Sequence, residues 1–161
     1  MPMVAMSSMP EEISSRRLAP VLWTLLGLFA LRVSGQALVV FFHVPWLPSM
    51  REWYSGLLAY PILLPCQILI ILVLGAACRD FTRGHGWFVT RRARAGRWAT
   101  GFGSVYFAAM IVRYGVRMAL HPEARWLSGV IPIAFHCVLA TFLILVGRYH
   151  RGGGGVTPAR A

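Results

Sequence analysis

Residues 20–43 read PVLWTLLGLFALRVSGQALVVFFH, apolar almost throughout, with one permanent cation, Arg32, near the middle. At about 1.5 Å per residue, a helix over these positions spans roughly 36 Å, more than the ~30 Å hydrocarbon core of a bilayer. An arginine at the centre of such a helix costs roughly 2.5–3.5 kcal/mol on insertion. The thirteen Leu, Phe and Val residues of the run return roughly 0.3–0.6 kcal/mol each, about 4–8 kcal/mol together. The run therefore inserts, and something within the membrane must receive Arg32. The other apolar segments are read as the walls around that cation.

Composition agrees. Of 161 residues, 57% are hydrophobic and only 13% charged, against about 25% charged in ordinary soluble domains. The net charge is +11, and the sixteen basic residues are all Arg. The positive charge lies beside apolar runs, so the expected partner is the membrane surface and not nucleic acid. Cys66, Cys78 and Cys137 fall in or at the end of apolar runs without a CxxC pair, which speaks for packing over a zinc site or disulfide framework.

Four spans are expected, at about 20–43, 54–78, 98–120 and 126–149, making an all-α polytopic membrane bundle. Residues 1–17 read as a cytoplasmic leader. The apolar run continues past Ala37, which favours an uncleaved first span over a signal peptide. In the second run, Pro61 and Pro65 are expected to bend the helix and free carbonyls near Gln67. The third run is the weakest. It holds only seven Leu, Ile, Val or Phe residues and carries Arg113 and Arg117, so it is expected to need its neighbours. Gly101, Gly103, Ser104, Ala108 and Ala109 are its expected face of close approach. The tail 150–161 includes four consecutive glycines and reads as disordered.

The leader, the connector 79–97 and the C-terminal end hold Arg16, Arg17, Arg79, Arg83, Arg91, Arg92, Arg94, Arg97, Arg148, Arg151 and Arg160. The other two turns hold only Arg51 and Arg125. The positive-inside rule then predicts both termini in the cytoplasm. Within the connector, Arg79, Arg83, Arg91, Arg92, Arg94 and Arg97 are expected to meet anionic lipid head groups. The exclusive use of Arg hints at a GC-rich bacterial genome, hence a bacterial inner membrane.

Polar residues recur at helical spacing: Arg32, Gln36 and His43; Tyr60 and Gln67; Tyr106, Arg113 and Arg117; with His136 on the last span. Counted inward, Arg32, Gln67 and His136 come out roughly 14–18 Å deep, with Gln36, Tyr60 and Arg113 in a shallower layer at roughly 8–10 Å. No Asp or Glu lies within any expected span. A buried guanidinium needs a counter-charge or several acceptors, so these residues are the candidate ligand site.

A small multidrug exporter would need an acid in the first span, and a thiol-type quinone reductase would need a CxxC; both are absent. Haem between two histidines at matched depth leaves His43 with His121, or His85 with His150. No metal ligand set or catalytic residue is assigned, and no cofactor is identified. Three functions follow in order. The first is a binding or transport protein whose Arg/Gln/Tyr/His pocket holds an anionic or carbonyl-headed amphiphile, a lipid or quinone. The second is an accessory subunit docking on a larger membrane complex or on its own copy. The third is a b-type cytochrome or a membrane enzyme using histidine.

Overall fold

The apolar runs form helices. The computed structural model describes residues 9–42, 44, 46–47, 60–120 and 130–152, with side chains from Ser15 onward. Helix α1 is Met9–Phe42, α2 is Tyr60–Arg83, α3 is Ala93–Leu120 and α4 is Val130–Arg151. The described chain is all-α. Helices α1, α2 and α4 are each long and apolar enough to cross a membrane, and α3 is not. The shortfall in α3 has the expected cause. Arg113 and Arg117 interrupt it, and its apolar content is low.

The helix ends differ from expectation in informative ways. Helix α1 starts at Met9, well inside the expected leader, with Pro10 in the first turn where its missing N–H is no loss. The expected connector 79–97 is helical at both ends. Helix α2 takes residues up to Arg83 and α3 begins at Ala93, leaving a short loop over 84–92. Pro61 falls in the first turn of described α2, next to residues outside the description, and Pro65 lies inside the helix. Helix α4 continues through Arg151. Positions 1–8, 48–59, 121–129 and 153–161 lie outside the described residues, as do His43 and Pro45.

Helix α1 is the axis of the bundle. It packs on α2 and on α4, and α3 packs on α4 alone, so the order across the molecule is α2–α1–α4–α3. Among its buried positions, Ser15, Ala19, Leu22, Leu26, Phe29, Val33 and Gln36 follow alternating steps of four and three, and Arg32 and Gly35 flank the last two. That is the seam of a helix packed at a shallow angle on its neighbours. The apolar core gathers at the connector end, where Leu22, Leu26, Cys78, Phe81, Phe142 and Tyr149 meet.

Helices α3 and α4 touch backbone to backbone. A Cβ on Gly147 would lie 2.6 Å from the Thr100 nitrogen, and one on Gly103 would lie 3.1 Å from the Ala140 carbonyl oxygen. Small residues permit such approach within a membrane. The face is Gly96, Thr100 and Gly103, spaced four and three. Of the residues expected there, Gly103 takes part, while Gly101, Ser104, Ala108 and Ala109 are exposed. Each step along a helix turns about 100°, so Gly101 points well away from the seam that Gly103 occupies.

The loop closes the connector end. Gly84, at φ 76°, caps α2 by donating its N–H to the Asp80 carbonyl at 2.9 Å. Asp80 Oδ2 accepts the Phe88 N–H at 3.3 Å, and Gly86, at φ 131°, lies under that carboxylate. The loop is then tied to α4. The Tyr149 hydroxyl donates to the Val89 carbonyl at 3.3 Å, and His150 Nδ1 accepts the Arg92 N–H at 3.4 Å.

Candidate functional site

The polar stripe of α1 is buried. Arg32 is 5% exposed and Gln36 is fully buried, and both continue the seam that begins with Leu22, Leu26 and Phe29. Facing them on α2 is Gln67, 4% exposed, whose Nε2 donates to Gln36 Oε1 at 3.2 Å. The expected difference in depth between these two glutamines does not hold. The hydrogen bond places the two amides side by side. Gln36 Nε2, Gln67 Oε1 and the Tyr60 hydroxyl are buried without a hydrogen-bond partner among the described residues. Polar atoms in that condition cost free energy in a medium without water.

The other side of the site comes from α3 and α4. His136 Nδ1 donates to the Pro132 carbonyl one turn back. In a neutral imidazole that bond leaves the acceptor lone pair on Nε2. The Tyr106 ring lies 5.8 Å from that of His136 and 5.8 Å from Phe102, nearly parallel to the latter. The expected constellation thus forms two observed pairs, Gln36 with Gln67 across α1 and α2, and Tyr106 with His136 across α3 and α4.

Two members sit differently from expectation. Arg113 is exposed. Arg117 is half-buried in the last turn of α3. Helix α3 contacts only α4, so most of its circumference faces outward and a residue one step off the seam is uncovered. The haem pair His43 and His121 lies outside the described residues. Of the other pair, His85 is exposed, and His150 uses Nδ1 to bind the loop backbone. Among the described residues no group of three or more His, Cys, Asp or Glu is placed to hold a metal.

One feature was invisible in the sequence. Between α2 and the α3–α4 pair lies an apolar cleft of about 480 Å³. Leu69, Ile70, Val73 and Leu74 form one wall, and Phe102, Tyr106, Leu139 and Leu143 form the other. Among the described residues its only polar side chain is that of Tyr106, the residue that also meets His136. Nothing in the spacing of these leucines distinguishes them from lipid-facing ones. The cleft exists because α2 and α3 stand apart, each held by a different partner.

A second hollow of about 670 Å³ lies at the connector end of α3 and α4, where Thr100, Ser104, Arg148 and Arg151 line it. Nearby, the Arg91 guanidinium lies 4.8 Å from the Tyr149 ring centre and that of Arg92 4.2 Å from Trp87. Arg79, Arg83, Arg94 and Arg97 are exposed.

No family model matches the chain, and no curated protein or solved structure matches it either.

Proposed function

We propose that this membrane protein binds, and moves or presents, an amphiphile whose oxygen-bearing head enters the Arg32–Gln36–Gln67 cluster and whose hydrocarbon tail occupies the cleft. The observation carrying this reading is the adjacency of the two parts. Ile70 and Leu74 of the cleft wall lie one and two turns beyond Gln67 on the same face of α2, and Tyr106 of the opposite wall lies beside His136. A buried guanidinium beside an apolar slot suits a head that is anionic or rich in carbonyl oxygen, as in a lipid or quinone. Arg32 supplies charge-assisted donors, Tyr60 and the glutamine amides orient the head, and His136 offers Nε2. Arg113 and Arg117 would act at the rim.

The membrane reading extends to the surroundings. Helix α3 would cross alongside α4, both termini would face a bacterial cytoplasm, and the connector arginines would hold anionic head groups. Mass spectrometry of detergent-extracted protein is expected to show one stoichiometric amphiphile, lost in Arg32→Ala. A second reading, an accessory subunit, is supported by the Gln36–Gln67 bond, which ties α1 to α2. Protein that carries no small molecule and co-purifies with a fixed membrane partner would replace binding by that role. A Soret band in the purified protein would replace both by a cytochrome.

A further inference from the structure

The two glutamines narrow the ligand class, on the basis of the binding reading above. A primary amide carries a donor nitrogen and an acceptor oxygen. Gln67 Nε2 and Gln36 Oε1 satisfy one another, which leaves Gln36 Nε2 and Gln67 Oε1. Exchanging oxygen and nitrogen in both amides reverses the bond and leaves Gln36 an acceptor and Gln67 a donor. Exchanging only one would set two donors or two acceptors face to face and break the bond. Whichever way the pair is drawn, one buried donor and one buried acceptor remain.

Arginine has no acceptor, and the Tyr60 hydroxyl can serve either way. The donors of this site are therefore plentiful, and what sets it apart is a carbonyl that needs a hydrogen. We infer that the head group carries a hydroxyl donor beside an oxygen acceptor. A quinol and a lipid with a free hydroxyl next to an ester, such as diacylglycerol, share that chemistry. A phosphodiester capped by a simple alkyl group, a carboxylate and an oxidised quinone offer only acceptors, and each leaves the glutamine carbonyl dry. One unsatisfied buried carbonyl weakens binding about tenfold to a hundredfold.

The test is native mass spectrometry of the full chain in detergent, titrated with dioleoylglycerol, dioleoylphosphatidylmethanol, and a short-tailed prenyl quinone in oxidised and reduced form. The expected result is at least tenfold tighter binding of a hydroxyl-bearing probe than of its acceptor-only counterpart. Diacylglycerol over phosphatidylmethanol would point to a lipid, and quinol over quinone to a redox carrier. In the double variant Gln36→Met/Gln67→Met, which removes both amides together, the preference is expected to vanish with elution volume unchanged. Equal affinity for all four probes, or a preference that survives in the double variant, would overturn the inference while leaving an amphiphile site in place. Failure of every probe to bind would overturn the binding reading itself.

Discussion

At the scale of single residues, the energetic weight falls on Arg32 and the glutamine pair. Burying a guanidinium is costly, and replacing it with an apolar side chain of similar size is often neutral or stabilising. Arg32→Leu is therefore expected to fold with equal or higher thermal stability and to bind no amphiphile. A variant that is more stable and fully functional would remove Arg32 from the site. The glutamines behave as a unit. Removing one leaves its partner wholly unsatisfied, so Gln36→Leu should cost about 1–3 kcal/mol. Adding Gln67→Leu should recover most of that loss, since both polar groups then disappear together. Thermal unfolding of the two single variants and the double variant in one detergent measures the coupling. The helical spacing of Arg32 and Gln36 was legible because a 3.6-residue repeat puts them on one face. The exposure of Arg113 was not, since spacing gives the face of a helix without saying whether anything covers it.

At the scale of elements, the close contact of α3 with α4 and the loop under Asp80 are the two places with least room. A Cβ on Gly86 would lie 2.3 Å from the Asp80 carboxyl, at a φ of 131° that side chains rarely adopt. Gly86→Ala should destabilise by about 1–3 kcal/mol, read as a lower unfolding temperature. Gly147→Leu should separate α3 from α4, because the Thr100 backbone has no space to yield. The direct measure is protease sensitivity of α3 in membranes, expected to rise. Helix α3 placed alone in a translocon insertion assay should insert poorly, and insertion should improve when α4 follows it. Equal insertion with and without α4 would contradict the dependence inferred from Arg113 and Arg117.

At the scale of the whole molecule, two properties depend on no single residue. The first is sidedness. The arginine-rich leader, connector and tail predict that a C-terminal reporter fusion is active only if it needs the cytoplasm, and that Arg91→Glu, Arg92→Glu and Arg94→Glu together weaken this bias. Activity of a periplasm-dependent reporter at the C-terminus would invert the topology. The second is the cleft, which follows from the order α2–α1–α4–α3. Helices consecutive in the chain stand apart because the 84–92 loop is long enough to bridge them and is pinned to α4 by Tyr149 and His150. The sequence alone determined that the chain is helical, that it carries membrane-length apolar segments, that α3 is the weak member, and that an arginine is lodged in the first of them. Those are consequences of composition and period, which act within a segment. Only the tertiary structure decided that Gln36 and Gln67 meet, that Gly96 and Gly103 line the helix seam, and that apolar side chains from three helices enclose a slot. Each of these depends on which helix faces which, and a periodic pattern carries no information about its partner.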